Sequence, residues 1–253
     1  MSVLLYLSAG RADTRRAPLH LMERERVATR CLDYLEARGL SVHLVSNPDS
    51  AKKLLDSTGR TFSTLPLDPD RVAFTRSNAV WMFAIRKNGA KKEVYMGCGV
   101  RLDDIRDEPF DEYYRRTSKP TYGEPTRASI ERFPSAPLQG KIAYWGDLIS
   151  PPIKDKSLSS VVALRMFCFY GQHRIFTDYG ADCSYCFMLD RQYIRGAPQA
   201  YGFLSSLPFV WDWRNCPFPG GKPDWVSYTQ KNEIPFLTKS VARLQVNKIA
   251  VDN

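Results

Sequence analysis

The stretch that most limits the fold runs from Lys141 to Tyr179. It begins as a short apolar run, KIAYWGDLIS, and stops at the double proline Pro151-Pro152. Proline fixes φ and carries no N–H, so a regular element does not continue through such a pair. A Lys/Ser-rich turn follows, ending at Ser157, and an apolar-periodic segment starts at Leu158. Leu158, Val161, Leu164, Cys168, Ile175 and Tyr179 recur at an approximately helical spacing. Gly171 weakens the middle of that helix, and Gly180 ends it. Strand, small-residue turn and helix together present the first N–H groups of the helix to an anionic ligand.

The remaining composition bounds the answer. A chain of 253 residues can build a substantial core. Its apolar runs are far shorter than a membrane span, and Met1–Gly10 is too short for a secretory leader with a charged start. The expectation is a soluble, cytoplasmic protein with no membrane partner. The formal charge of +9 is spread over separated pairs, Arg15-Arg16, Lys52-Lys53, Lys91-Lys92 and Arg115-Arg116. Nucleic-acid binding calls for one concentrated basic face and is not expected; a phosphorylated small molecule suits the charge equally well. Six cysteines in a chain of this length are not a disulfide framework. Cys183 and Cys186 form a CxxC pair with no second pair or histidine motif to complete a metal site. They also sit in a strand-like run, where residues three apart face opposite ways. His20, His43 and His173 show no spacing suited to a metal or a triad, and no nucleophile motif supports a hydrolase.

Along the chain, Val3–Leu7 reads as a short strand and His20–Arg38 as a helix, with Val27, Cys31 and Leu35 four apart and Gly39 as its cap. The apolar face of that helix needs a cover, either the sheet or a second subunit in a homodimer. Leu40–Val45 alternates as a strand. Asn47-Pro48-Asp49 starts a short helix over Ala51–Asp56. Leu65–Asp70 is a loop with two prolines. A hairpin follows: Val72–Arg86 is apolar enough for burial on both faces, Lys87-Asn88-Gly89 turns the chain, and Glu93–Leu102 returns. Gly97 and Gly99 strip one face of that return strand, which suggests a bulge or a close approach by backbone or ligand. Asp103–Pro137 is charged and broken by prolines, with one helix over Glu108–Arg116 around Phe110, Tyr113 and Tyr114; it reads as an insertion or lid. After Leu138–Ile149 and the long helix come a strand at Cys183–Leu189, a broken helical segment at Asp190–Ala200, an antiparallel pair at Leu207–Trp213 and Asp224–Thr229, and a final edge strand at Pro235–Val241. The large aromatics Trp81, Phe83, Tyr95, Tyr144, Trp145, Trp211 and Trp213 stock the sheet.

This order of elements, over roughly Ser41–Thr229, resembles the Gcn5-related N-acetyltransferase superfamily. Its turn after the fourth strand, of the form Arg/Gln-x-x-Gly-x-Gly/Ala, matches Lys154-Asp155-Lys156-Ser157-Leu158-Ser159 here, with lysine in the first place and serines at both small positions. The family's Gly-Phe pair matches Gly202-Phe203. The resemblance implies an α+β fold, with a mixed, mostly antiparallel central sheet flanked by helices. It implies one domain over 1–253, with an N-terminal extra strand and helix at 1–40 and the insertion at 103–137. It further implies binding of acetyl-coenzyme A or another acyl-coenzyme A by Leu148, Ile149, Ser150, Lys154, Lys156, Ser157, Leu158, Ser159 and Ser160.

The activity that the resemblance implies is transfer of an acyl group from the thioester to an amine of a small molecule or peptide, by direct attack in a ternary complex. Asp147, near the end of the central strand, is the candidate base. The family's tyrosine acid falls on Pro198, leaving Tyr193 and Tyr201 as substitutes. Two further readings stay open. Gly97-Cys98-Gly99-Val100-Arg101-Leu102 resembles the third strand of acyl-homoserine lactone synthases. The serines of the turn and Pro198 suit a ligand-binding or interaction protein that kept the fold and lost the chemistry.

Overall fold

A computed structural model describes residues 17–59, 64–68, 72–88, 91–123, 138–150, 158–208 and 225–249. The strand expected at Val3–Leu7 lies outside them, as do the tip of the hairpin, the whole turn 151–157 before Leu158 and the segment carrying Trp211 and Trp213.

The elements are α1 (Ala17–Glu36), β1 (Leu40–Val45), α2 (Pro48–Asp56), a 3-10 turn at Leu65–Leu67, β2 (Ala79–Asn88), β3 (Lys91–Asp104) and α3 (Phe110–Tyr122). They continue as β4 (Lys141–Ile149), α4 (Leu158–Thr177), β5 (Cys183–Met188), α5 (Asp190–Ile194), α6 (Ala197–Tyr201), β6 (Ser205–Pro208), β7 (Trp225–Gln230) and α7 (Ile234–Ile249). The strands form one seven-stranded sheet in the order β1-β2-β3-β4-β5-β7-β6. Every neighbouring pair is antiparallel except β4 and β5. The architecture is α+β, a mixed and mostly antiparallel sheet flanked by helices. No helix among the described residues is long and apolar enough to cross a membrane.

Both faces of the sheet are covered, and the side-chain period of two decides which residue goes where. Val80, Met82 and Ala84 of β2 point into a core shared with α1, α4 and α7. Trp81, Phe83 and Ile85 point the other way, into a core shared with α2 and α3. The unbroken apolar run of β2 is thus the mark of a strand buried on both sides. Cys183 and Cys186 likewise fall into opposite cores, as the strand reading of their spacing requires. The apolar stripe Val27, Cys31 and Leu35 of α1 is covered within the chain, packing with α4 residues such as Met166.

One expectation is overturned. Pro235–Val241 is not an edge strand but the start of α7. Ile234, Leu237 and Val241 recur at three and four residues and share the helix-side core, a period that seven residues are too few to reveal. The last antiparallel pair joins Ser205–Pro208 to Trp225–Gln230, and residues 209–213 of the expected first strand lie outside the described residues.

Gly171, in the middle of α4, has a steric reason. A Cβ there would lie 2.6 Å from both the Met82 Cε and the Trp145 ring. Helix propensity favours alanine by about 1 kcal/mol. Overpacking against a stiff buried indole costs about 1–3 kcal/mol, so packing wins. Gly171→Ala is expected to lower the unfolding free energy by roughly 1 kcal/mol or more, read as an earlier midpoint in urea; a later midpoint would contradict this account.

Candidate active site at the open end of the central strands

The site forms where β4 leaves both of its neighbours' regular registers. Against β3, Gly99 pairs with Gly146 but Gly97 pairs with Ile149, so one residue of β3 faces two of β4. Such an extra residue is a β-bulge. Asp147 lies in it with φ 54°, the one non-glycine residue at positive φ among the described residues. Aspartate tolerates left-handed backbone better than most residues do. Against β5, pairing covers Ile142–Cys183, Ala143–Ser184 and Tyr144–Tyr185 and then stops. Both strands run on, β4 to Ile149 and β5 to Met188, so their carboxyl ends are open to each other. The first turn of α4 begins at Leu158, after that end.

Asp147 is 3% exposed. Its Oδ1 accepts a hydrogen bond of 2.9 Å from the main-chain N–H of Thr64. Tyr144, three residues earlier, lies in the same neighbourhood: a Cβ on Gly146 would touch both its ring and the Thr64 hydroxyl at 2.7 Å. Burial pushes the Tyr144 hydroxyl well above its ordinary range, and the nearby Asp147 charge adds to the rise. Beyond Tyr144, aromatic rings continue through Phe187 and Tyr185 to Phe110 and Tyr114 of α3. The Tyr113 hydroxyl of α3 donates to Asp103 Oδ2 at 2.6 Å, and Arg101 holds the other oxygen of that carboxylate at 2.9 Å. The helix expected within the insertion therefore packs onto the sheet beside the site.

The other expected residues are spread more widely. Tyr201, at the end of α6, packs against the helix-side core within electrostatic reach of Cys168 and Cys186. Its hydroxyl is raised first by burial. Tyr193 stacks on Trp225, with ring centroids 3.7 Å apart and planes 9° from parallel. The Trp225 indole donates to Asp190 at 3.0 Å. Tyr193 thus sits beyond the end of β5, with no described contact to Asp147. Leu148 packs against the helix-side core, Ile149 against the opposite one, and Ser150 is exposed just past β4. Leu158, Ser159 and Ser160 form the first turn of α4. Lys154, Lys156 and Ser157 lie outside the described residues.

The Gly-Phe pair has structural work. Gly202 ends α6 at φ 84°, and its carbonyl accepts from Thr229 Oγ1 at 2.9 Å. Phe203 is buried edge-on against Trp145 of β4, 6.3 Å between centroids.

Thr64 and Leu67 were not expected at the site. A proline-containing loop gives no sequence sign of where it lands, although Gly97 and Gly99 did mark one face of β3 as stripped of side chains.

No family model matches the chain, and no curated protein matches it. Among solved structures it is similar to Arabidopsis thaliana NAA60 in complex with acetyl-CoA, at 10% identity over 76% of this chain and 99% of that one, with a TM-score of 0.40. It is similar to FeeM, an N-acyl amino acid synthase from uncultured soil microbes, at 13% identity over 86% and 94% of the two chains, with a TM-score of 0.33. It is also similar to an acetyltransferase of GNAT family from Streptococcus pneumoniae, at 13% identity over 74% and 97%, with a TM-score of 0.34.

Burial holds Tyr113, Tyr144 and Tyr185 neutral, each raised from its ordinary value. In the unfolded chain they titrate near pH 10. A raised folded value means this stability is fully present below about pH 10 and is lost as pH climbs above it. Urea midpoints measured in rising alkaline pH are therefore expected to fall beyond about pH 10, together with the growth of phenolate absorbance. Tyr144→Phe should flatten that fall; free titration of all tyrosines in the folded protein would contradict the burial.

Proposed function

We propose that the protein transfers an acyl group from an acyl-coenzyme A, acetyl-coenzyme A included, to an amine on a small molecule or peptide. The observation that carries this reading is the parallel β4–β5 pair that opens at its carboxyl ends, with a buried carboxylate in the bulge beside it. Ligands of open α/β sheets bind in such crevices, outside the carboxyl ends of parallel strands. Past Tyr144 and Tyr185 the facing strand edges no longer pair, so their main-chain groups suit an extended amide-bearing chain laid alongside. The first N–H groups of α4, at Leu158, Ser159 and Ser160, have no partners within the helix and carry the positive end of its dipole, which suits a pyrophosphate. Lys154, Lys156 and Ser157 precede them in sequence and add charge and a hydroxyl. Leu148, Ile149 and Ser150 form the lip of the crevice.

The coenzyme thioester supplies the activated acyl carbon. The chain's own task is the proton. A primary amine is protonated at neutral pH and must lose that proton before it can attack. Asp147 takes it, directly or through one water. The nitrogen–carbon bond then forms as the carbon–sulfur bond breaks, the nitrogen releases its second proton to solvent to become a neutral amide, and the sulfur leaves as thiolate. Tyr201 and Tyr193, on the elements that follow β5, are the residues proposed to return a proton to the sulfur.

Calorimetry with coenzyme A tests the first half of the proposal; no heat at millimolar ligand would end it. Asp147→Asn keeps the side-chain oxygen that accepts from Thr64 and removes the base. It is expected to lower kcat by about 10²–10⁴-fold with coenzyme A affinity little changed. Unaltered turnover would remove Asp147 from the mechanism. Binding without turnover across an amine panel would favour a ligand-binding protein.

A further inference from the structure

We propose that the turn Thr64–Leu67 is the element that positions the Asp147 carboxylate, with Thr64 acting through its main-chain N–H and Leu67 acting by holding Thr64 in place. This rests on the reading of Asp147 as the base. The turn belongs to the connection between α2 and β2, 83 residues away from Asp147 in the chain, and its seat is built into two strands. Gly99 and Gly146 are register partners in β3 and β4. A Cβ on the first would lie 2.7 Å from Leu67 Cδ1, and on the second 2.8 Å. Two facing glycines weaken a strand pair, so a sheet keeps them where another group must come close. Here the group common to both is the fully buried Leu67 side chain, with Trp81 beside it at Gly99 and Thr64 and Tyr144 beside it at Gly146.

From the seat the linkage runs back to the carboxylate in two bonds. The Leu67 N–H donates to the Thr64 carbonyl at 2.8 Å, which closes the turn. The Thr64 N–H donates to Asp147 Oδ1 at 2.9 Å. That bond is charge-assisted and directional. It fixes a side chain whose own backbone is left-handed, a conformation that persists only where its surroundings hold it. The turn packs on β3 and β4 beside the carboxylate, which is buried there. A base kept dry and aimed loses no time to reorientation when an amine arrives.

The closing experiment reads the carboxylate without relying on turnover. Full-length protein is treated with a water-soluble carbodiimide and an amine, and modification at each carboxyl is followed by mass spectrometry. In the wild type, Asp147 is expected to react at least about tenfold more slowly than the exposed Asp182. Leu67→Ala should bring Asp147 close to the Asp182 rate, while Leu67→Met keeps it protected. If acyl transfer is present, Leu67→Ala should lower kcat by about 10²-fold, as misplacing a catalytic group does, with KM for the thioester little changed and Leu67→Met restoring it. Where Leu67→Ala does not fold, Leu67→Val gives the same comparison at smaller amplitude. Rapid labelling of wild-type Asp147, or a folded Leu67→Ala with Asp147 as protected as before, overturns the proposal. Labelling as expected in a protein that transfers no acyl group leaves the positioning intact and ends the acyltransferase reading instead.

Discussion

One residue more on β4 than on β3, beside Gly97 and Gly99, sets the geometry on which the site depends. The bulge turns Asp147 into left-handed backbone and brings its carboxylate to Thr64 rather than leaving it in the alternation of the strand. Without the extra residue, Asp147 would share the face of Ala143 and Trp145, which pack into the helix-side core. A carboxylate there would be buried among apolar groups, a placement that costs several kcal/mol. The bulge thus converts a destabilising position into one with a main-chain donor waiting.

The same strand carries the second constraint, since β4 must end its pairing with β5 early. Trp145 fills part of the space on the helix side, meeting Phe203 from the segment after α6 and the bare face of Gly171 in α4. Tyr144 and Phe187 fill part of it on the other side. Large aromatics pack between strands that have moved apart because each covers area that a hydrogen-bonded neighbour would otherwise cover. The opening is therefore supported from both cores, and α4 starts after it by virtue of the chain's direction alone.

Much of this architecture was readable from the residues. The unbroken run Val80–Ile85 announced a strand buried on both faces, and Asn47 announced a helix start that its side chain does cap, accepting from Ser50 at 2.9 Å. Gly97 and Gly99 announced a bulge or a close approach by backbone or ligand; a bulge is present beside them, on β4, and the groups that come close are side chains, Phe83 at Gly97 and Leu67 and Trp81 at Gly99. The arrival of Leu67 at Gly99 was not readable, because it comes from a proline-bearing loop with no periodicity. The partnership of Tyr144 with Asp147 was hidden for a related reason: strict alternation sends residues three apart to opposite faces, and only the bulge brings them together. At the end of the chain, seven residues held too few repeats to separate a strand from the helix that Ile234, Leu237 and Val241 build.

The geometry also weighs the two proton transfers of the proposed reaction differently. A thiol titrates near 8.5, so a thiolate is a tolerable leaving group in neutral water. A tyrosine raised above its ordinary value, as Tyr201 is, gives up its proton reluctantly and gains little by acting on such a group. Placing Pro198 where the family resemblance expects the acid therefore costs the reaction little. The amine is the harder partner, since an alkylammonium near 10.4 holds its proton three orders of magnitude beyond neutrality. Nothing downstream can compensate for failing to remove it. This places the chemical demand on Asp147, and through it on a glycine-floored seat and a leucine far from it in sequence.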